Sequence, residues 1–267
     1  MPTQTETEHL PVVILCGGES TRLRGSGLDD RPKPLIEIGD RPVLWHIMKI
    51  YAAFGHCNFL LALGHRGDMI KRYFLEYEPM SRDFTMTLGG ARRIEYHVDH
   101  AEANWSVTLA DTGAGTQTGA RIKKVARYID GDRFFATYGD GVGQIDLNDL
   151  LAFHRRHGRL ATLTGVRPFS QFGVIETDGD FVTGFREKPQ VEGYVNGGFF
   201  VFERGVFDYL AGPDDLELEK QPLQNLARDG QLCIYRHDGF WRAMDTFKDV
   251  QALTAIWDSG DALWKVW

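Results

Sequence analysis

Hydrophobic and polar positions along the chain predict strands and helices in alternation. The apolar run Val12–Leu15 ends at a glycine pair, which is typical of a buried parallel strand. From Val43 to Phe54 apolar residues recur every three or four positions, and Gly55 follows, which predicts a helix and its end. Further segments predict strands at 59–63 and 133–138 and a helix near 68–77. We therefore predict an α/β fold with a mixed, mostly parallel sheet and helices on both faces.

Two stretches follow a shorter alternating pattern. Residues 84–88 and 106–109 predict antiparallel ribbon, and residues 173–177 and 181–185 flank Asp178-Gly179, which predicts a hairpin. Helices are also predicted at Leu147–His157 and from Thr246 onward, and the C-terminal third is interpreted as mixed α+β. Residues 1–10 are polar and acidic, and we expect them to form a disordered leader. The chain has no internal repeat and no Pro/Gly/Ser-rich linker. A single domain with a small antiparallel elaboration is predicted over residues 11–267.

Composition narrows the class of protein. The chain has 267 residues, and its apolar runs are far shorter than the roughly 20 residues of a membrane span, so no membrane segment is predicted. The polar, acidic start lacks the features of a secretory signal, and three widely spaced cysteines suit a reducing compartment, so we expect a cytoplasmic protein. A formal charge of −7 argues against a general nucleic-acid surface.

A glycine turn with basic residues nearby follows the first strand and predicts a triphosphate-binding site. Backbone N–H groups at such a turn can hold phosphate oxygens, and basic side chains supply charge. The alternative is an ordinary strand-to-helix turn, since neither a P-loop nor a dinucleotide-binding fingerprint is present. The candidate residues are Gly17, Gly18, Ser20, Thr21, Arg22 and, after Arg31-Pro32, Lys33.

Two aspartates are candidates for binding Mg²⁺. Asp140 lies between glycines where the 133–138 strand ends, the edge at which ligands gather in open α/β sheets. Asp245 would supply a second carboxylate just before the last helix. The alternatives are an aspartate in a tight turn for Asp140 and a helix N-cap for Asp245.

A third group of residues suits a sugar phosphate. Lys188, in Glu187-Lys188-Pro189, can neutralise a phosphate, and Asn196 beside two glycines can offer an amide to a sugar hydroxyl. Each could equally be an ordinary loop residue. His46 is interpreted as a packed histidine, and His154 and His157 lack a third zinc ligand. The C-terminal tryptophans are expected to pack the last helix or a subunit contact.

Taken in order, these motifs resemble one family. The set G-G-x-x-T-R-L, P-K-P, L-W-H-I-M-K, Y-G-D-G-V, E-K-P, N-G-G-F-F and G-F-W-x-x-M-D-T closely resembles the glucose-1-phosphate cytidylyltransferases of the sugar nucleotidyltransferase superfamily, over roughly residues 11–267. This resemblance implies a Rossmann-like nucleotidyltransferase fold, often assembled as trimers or hexamers, with CTP and sugar 1-phosphate in one cleft. Ser20 stands where the family commonly has a third glycine.

The resemblance also implies roles for individual residues. Lys33 and Arg22 match residues that contact the triphosphate, and Asp140 and Asp245 match metal-binding aspartates. Nucleotide contacts are further implied for Leu15, Gly17, Gly18, Ser20, Thr21 and Gly139, and sugar-phosphate contacts for Arg121, Tyr138, Glu187, Lys188 and Asn196. The catalytic set is Arg22, Lys33, Asp140 and Lys188.

The implied reaction is the Mg²⁺-assisted conversion of CTP and α-D-glucose 1-phosphate to CDP-glucose and pyrophosphate. Because the attacking phosphate is already an anion, no general base is expected. Three alternatives stay open: cytidylyl transfer to another phosphorylated acceptor, use of UTP or dTTP, and a catalytically silent subunit that binds nucleotide sugars. The missing G-x-G-x-x-G argues against a nicotinamide dehydrogenase.

Overall fold

The computed structural model describes residues 8–18, 31–89, 93–170, 172–190 and 192–267. The strands within these ranges are β1 Val12–Cys16, β2 Glu37–Ile38, β3 Arg41–Pro42, β4 Asn58–Leu63, β5 Phe84–Thr87, β6 Arg93–Tyr96, β7 Ser106–Asp111, β8 Arg133–Tyr138, β9 Gly141–Gly143, β10 Ala161–Val166, β11 Val174–Asp178, β12 Phe181–Arg186, β13 Val195–Asn196, β14 Phe200–Glu203, β15 Leu232–His237 and β16 Trp241–Ala243.

The α-helices within the same ranges are α1 Val43–Ala53, α2 Gly67–Leu75, α3 Tyr77–Ser81, α4 Thr118–Val125, α5 Leu147–His157, α6 Gln221–Arg228 and α7 Phe247–Asp258. Short 3-10 helices lie at Lys33–Leu35, Ala126–Tyr128 and Arg204–Asp208. None of the helices in this part of the chain is long and apolar enough to cross a membrane.

A central sheet carries the fold. Its strand order is β13-β10-β14-β8-β1-β4-β7, with β15 paired to β10. Strand β1 runs parallel to both β4 and β8, and β7 runs parallel to β4, whereas β14 is antiparallel to β8 and β10. The prediction of a mixed, mostly parallel α/β sheet is confirmed.

Helices cover both faces of this sheet, as predicted. Every residue of β1 is buried, and its side chains alternate between two apolar clusters. Val12 and Ile14 pack in the cluster that contains α1, α5 and α7, whereas Val13 and Leu15 pack in the one that contains α4 and α6. A strand that is buried on both faces has a continuous run of apolar residues, which is why β1 could be predicted from the sequence.

Several predicted elements are confirmed closely. Strand β8 and helix α5 have the predicted bounds, and α1 ends at Ala53, with Gly55 at φ +85° just beyond it. The predicted hairpin is β11–β12, but Asp178 still pairs with Phe181, so the turn is Gly179-Asp180, one residue later than the predicted Asp178-Gly179. The helix expected near 68–77 is present, but it is split into α2 and α3.

The assignment of residues 106–109 to antiparallel ribbon is wrong. Residues 84–87 do form a ribbon, with β6, but Ser106–Asp111 is a parallel strand of the central sheet beside β4. This strand, β7, lies at the end of the row of paired strands and is only partly buried. An edge strand with one covered face shows the same alternation of apolar and polar residues as an antiparallel strand, so the pattern does not distinguish the two.

The predicted disordered leader extends too far. Residues 1–7 lie outside the described residues, but Leu10 is buried, and its backbone N–H donates to His56 Nδ1. His9 contacts the carbonyl oxygen of Gly55 through Nδ1, and Arg133 Nη1 donates to Glu8 Oε2 at 3.1 Å. Residues 8–10 are therefore tied to the start of the sheet by side chains distant in sequence.

His46 and the C-terminal tryptophans pack as expected. His46 is fully buried, its Nε2 lies 3.0 Å from the carbonyl oxygen of Ile38, and its ring meets Trp257 edge-on. Trp264 is also fully buried beside it. His154 contacts Thr162 Oγ1 at 2.7 Å.

Candidate active site

A cleft of ≈ 430 Å³ lies where β1 and β8 end. Parallel strands β1 and β8 are neighbours, so their carboxyl ends deliver the glycine turn after β1 and the Gly139-Asp140 pair to the same place. The lining residues are Leu15, Cys16, Gly17, Gly18, Lys33, Pro34, Ala114, Gly115, Thr116, Gln117, Thr118, Arg121, Tyr138, Gly139 and Asp140.

Lys33 joins the two predicted metal aspartates. Its Nζ lies 2.6 Å from Asp140 Oδ2 and 2.6 Å from Asp245 Oδ1. The three side chains come from distant parts of the chain, 107 and 212 residues from Lys33 respectively. The structure thus brings together one predicted triphosphate cation and both predicted metal carboxylates.

A small antiparallel ribbon explains why the two aspartates meet. Strand β9 pairs with β16, so Gly141 lies opposite Ala243, and the backbone N–H of Met244 donates to the carbonyl oxygen of Asp140 at 2.8 Å. Asp140 precedes β9 and Asp245 follows β16, so both emerge at the same end of the ribbon.

Helix α7 fixes Asp245 from the other side. Thr246 is the N-cap, and its hydroxyl and the Asp249 carboxylate form a capping box. The Asp249 carboxylate also accepts from the backbone N–H of Asp245, at 3.2 Å. Thr246, and not Asp245, is therefore the N-cap, so the alternative interpretation of Asp245 is wrong. The prediction that the last helix begins at Thr246 is confirmed.

The charge balance of this cluster favours a cation. Burial alone would lower the pKa of Lys33, but the Asp140 and Asp245 carboxylates outweigh it and raise that pKa, so Lys33 stays protonated. Within this group of three side chains, two carboxylates share one ammonium. The ammonium is a stand-in for a bound cation, and carboxylate oxygens are the ligands that Mg²⁺ prefers, so the donor set fits that ion. Further ligands would have to come from phosphates and water, since no group of three or more possible metal-binding side chains occurs in the described ranges.

Arg121 lines the cleft, and its guanidinium donates hydrogen bonds to several segments around it. It is 3% exposed, and its Nη1 donates to the carbonyl oxygens of Leu63 and Gly113 and to Thr112 Oγ1. Its Nη2 donates to the carbonyl oxygen of Gly17 at 3.0 Å. Burial lowers the pKa of this guanidinium. These contacts tie together the ends of β1, β4 and β7. The contact of Arg121 with the sugar phosphate stays a prediction.

Two glycines of the cleft leave no room for a side chain. A Cβ on Gly17 would overlap the guanidinium carbon of Arg121. A Cβ on Gly139 would lie 2.8 Å from the carbonyl oxygen of Leu15. These glycines are therefore needed for close packing rather than for an unusual backbone angle.

Tyr138 marks the other end of the cleft. Its hydroxyl donates to Glu219 Oε1 at 2.6 Å and accepts from Asn196 Nδ2 at 2.9 Å. The second oxygen of Glu219 accepts from Thr118 Oγ1 at 2.7 Å. Burial, with the Glu219 charge, raises the pKa of Tyr138, so the phenol stays neutral. Hydroxyls, an amide and a carboxylate make this end suited to sugar hydroxyls rather than to phosphate.

Two of the remaining predicted residues, Glu187 and Lys188, are not among the residues that line the cleft. Glu187 and Lys188 follow the hairpin β11–β12 with more than half of each side chain exposed, and they pair weakly with each other at 3.7 Å. Lys188 has a φ of +44°. Ser20, Thr21 and Arg22 lie outside the described residues.

Sequence reasoning missed two parts of the cleft. The loop 114–117, between β7 and α4, lines the cleft. Glu219, which precedes α6, accepts hydrogen bonds from Tyr138 and Thr118. The loop had a signal, because small and polar residues follow a strand at the active edge of the sheet. Glu219 had none, since it lies in a charged surface stretch.

Comparison with known proteins identifies the family. The nucleotidyl transferase family matches residues 11–258. The probable glucose-1-phosphate cytidylyltransferase of Bacillus subtilis is 42% identical over 97% of this chain and 100% of its own length. The glucose-1-phosphate cytidylyltransferase of Salmonella typhi is also 42% identical, over 97% of this chain and all of its own.

Solved structures agree on the fold. HddC from Yersinia pseudotuberculosis matches with a TM-score of 0.68 at 20% identity, covering 93% of this chain and 99% of its own. A putative glucose-1-phosphate thymidylyltransferase from Bacillus anthracis matches with a TM-score of 0.67 at 18% identity, covering 92% and 94%. Together with the sequence matches, these likenesses show that the chain belongs to the nucleotidyl transferase family, in the branch that contains the glucose-1-phosphate cytidylyltransferases.

Proposed function

We propose that this chain converts CTP and α-D-glucose 1-phosphate to CDP-glucose and pyrophosphate. The observation that carries the proposal is the meeting of Lys33, Asp140 and Asp245 at a cleft that ends in sugar-suited polar groups. Relatives that are 42% identical over their full length bear the name of this activity, which supports the choice of nucleotide and acceptor.

Asp140 and Asp245 are the residues that we propose to hold Mg²⁺. When bound there, the ion would neutralise charge on the phosphates. Both carboxylates already face one cation, and the β9–β16 ribbon and the α7 capping box fix them in place.

The chain's own cations bring two anionic substrates together. A phosphate oxygen of the sugar phosphate attacks the α-phosphorus of CTP, the bond from that phosphorus to the bridging oxygen breaks, and pyrophosphate leaves with the bond electrons. Lys33 stands at the cleft wall to stabilise the triphosphate, and we assign the same task to Arg22. Lys188 is proposed to contact the sugar phosphate, which requires its hairpin to move or a neighbouring subunit to supply it.

The described lining offers little for general-base catalysis, because its one carboxylate, Asp140, is paired with Lys33 and is proposed to hold the metal. The lining holds no histidine, and burial raises the pKa of both Cys16 and Tyr138, so thiol and phenol stay protonated. This fits a reaction whose nucleophile is already an anion.

Glucose is assigned to the Tyr138 end of the cleft. A phosphate there would face the Glu219 carboxylate without a neutralising cation among the contacts of that network, whereas sugar hydroxyls can donate to the carboxylate and to Tyr138. The nucleotide is then left with the glycine turn and Lys33 at the other end.

A matrix of nucleotides and acceptors tests this assignment. Pyrophosphate release would be measured with Mg²⁺ for CTP, UTP, dTTP, ATP and GTP against glucose 1-phosphate and other sugar phosphates. The proposal expects release with CTP and glucose 1-phosphate. Release with CTP and another sugar phosphate alone would retain the chemistry and reject glucose, preference for UTP or dTTP would reject the cytidylyl assignment, and silence with every pair would favour a nucleotide-sugar-binding subunit.

We further propose that the enzyme is a cytoplasmic homo-oligomer, a trimer or hexamer. The hairpin β11–β12 supports self-association, because its residues are almost all exposed and include Phe181 at 79% and Phe185 at 62%, with Phe172 beside it at 77%. A two-stranded hairpin with apolar side chains is marginal by itself and gains stability when covered by a second copy. Light scattering on the Phe181→Ser/Phe185→Ser double variant tests this, with a smaller assembly expected and an unchanged mass contradicting it.

A further inference from the structure

Lys33 binds both carboxylates of the proposed metal pair at the same time. Its nitrogen lies 2.6 Å from one oxygen of each, and the three side chains are largely shielded, with exposures of 18% for Lys33, 28% for Asp140 and 34% for Asp245. The ammonium thus stands at the point that is reached by both carboxylates at once.

A divalent cation held by both carboxylates would need the space that the ammonium occupies. Mg²⁺ binds carboxylate oxygen at about 2.1 Å, closer than the lysine nitrogen does. Two cations a few ångströms apart in a partly buried site repel each other strongly. Lys33 and a divalent ion held by both carboxylates would therefore exclude one another from the position between Asp140 and Asp245.

We propose that Lys33 is an internal counter-ion of the metal site, and that a divalent cation displaces its ammonium from Asp140 and Asp245 toward the triphosphate. This inference rests on the metal site and the reaction proposed above. Lysine suits the exchange because its four-carbon stem rotates freely and its charge has no fixed direction. Lys33 already lines the cleft, so the displaced ammonium moves toward the glycine turn rather than into the core.

The exchange couples the two ligands. Without nucleotide, metal binding must break two ion pairs of Lys33 and leave its charge without a partner of equal strength. With a triphosphate present, the ammonium exchanges carboxylates for phosphate oxygens, so little charge pairing is lost. Metal and nucleoside triphosphate should therefore each increase the affinity for the other, and this coupling should depend on Lys33.

The first test is Mn²⁺ affinity in the absence of nucleotide, measured by calorimetry. The Lys33→Met variant keeps the length of the side chain and removes its charge, so it should bind Mn²⁺ roughly 10-fold more tightly than the natural chain, after allowance for solvent screening. The Lys265→Met variant, which removes an exposed cation above Trp257, should bind as the natural chain does. Equal affinity in the natural chain and Lys33→Met overturns the exchange.

The second test uses the unaltered chain, because the Lys33→Met variant leaves two carboxylates facing each other and can fail to fold. Lysine acetylation would be followed peptide by peptide, with Lys265 as the internal reference. Lys33 should become several-fold more reactive at saturating Mn²⁺ and protected again when a non-hydrolysable CTP analogue is added. Unchanged Lys33 reactivity at saturating Mn²⁺ overturns the proposal, whatever the first test gives.

Failure of the exchange and failure of the proposed reaction are distinguishable, because neither test requires turnover. An Asp140→Asn variant that binds Mn²⁺ as well as the natural chain would overturn both the metal site and the exchange. If CTP and glucose 1-phosphate give no product while Lys33 responds to Mn²⁺ as expected, the reaction is rejected and the exchange is supported.

Discussion

The guanidinium of Arg121 donates to the carbonyl oxygen of Gly17, 104 residues away in the chain, across a distance of 3.0 Å. This contact joins helix α4 to the glycine turn on which the proposed triphosphate site is built. Because the same guanidinium also holds oxygens at the ends of β4 and β7, Arg121 links the carboxyl ends of three parallel strands.

Replacing Arg121 by Met should destabilise the fold. The change leaves several carbonyl oxygens without a donor, and we expect a loss of about 3 kcal/mol in the free energy of unfolding by urea. Arg127→Met, at an exposed arginine of the following 3-10 helix, is the matched control and should change little. An Arg121→Met protein of normal stability but with a raised KM for glucose 1-phosphate alone would contradict the structural role and support the direct phosphate contact that the resemblance implies.

The glycine pair after β1 offers a matched test of packing. Gly17→Ala places a methyl group against the Arg121 guanidinium and should lower the melting temperature by several degrees, since a loss of about 1–2 kcal/mol is typical of overpacking. Gly18→Ala meets nothing within 4 Å and should melt as the natural chain does. Equal melting temperatures of the two variants would show that the Arg121 guanidinium moves aside without a loss of stability.

Glu219 should influence the sugar phosphate and not the nucleotide. In Glu219→Gln the contacts with Tyr138 and Thr118 lose their charge assistance, so the KM for glucose 1-phosphate should rise about 10-fold, equivalent to about 1.4 kcal/mol. The KM for CTP should stay within about twofold. Steady-state kinetics with each substrate varied in turn decides this, and an equal rise in both values would place Glu219 outside the sugar end.

Three buried histidines should make stability depend on pH. Burial lowers the pKa of His46, His56 and His154 to about 4, from an ordinary value of 6.5. Below pH 6.5 the unfolded chain therefore binds protons that the folded chain does not, so stability falls as the pH drops from about 6.5 to about 4. Each histidine contributes at most about 1.4 kcal/mol per pH unit.

Urea unfolding at a series of pH values between 7 and 5 measures this slope. His46→Gln should give a shallower slope than the natural chain, whereas His97→Gln, at an exposed histidine beside Thr85, should leave it unchanged. An identical slope in all three proteins would mean that His46 does not remain neutral in the fold.

Much of the fold was readable from the sequence because burial on both faces leaves a strong signal. Strand β8 and helix α5 were predicted with their observed bounds, since a continuous apolar run and a regular three-to-four spacing are each produced by few kinds of structure. Strand β7 was assigned wrongly because an edge strand shows the pattern of an antiparallel one. Local patterning does not tell which neighbour a strand will pair with.

The candidate site was predictable in its residues but less so in their roles. Lys33, Asp140 and Asp245 were named from motifs, and the structure brings them together. The hydrogen bonds of Arg121 and of Glu219 join segments that are distant in the chain, and no short motif encodes such contacts. The substrate contacts assigned to Arg22, Arg121, Glu187 and Lys188 stay predictions, as does the single-domain boundary.

The most direct test of the central claim is CDP-glucose formation from CTP, glucose 1-phosphate and Mg²⁺, followed by chromatography and mass spectrometry. The natural chain and Asp149→Asn, an exposed aspartate in the first turn of α5, should form product, and Asp140→Asn should lose at least about 100-fold in rate, because transition-state charge loses its stabilisation. Absence of CDP-glucose from the natural chain, or full activity in Asp140→Asn, would contradict the account.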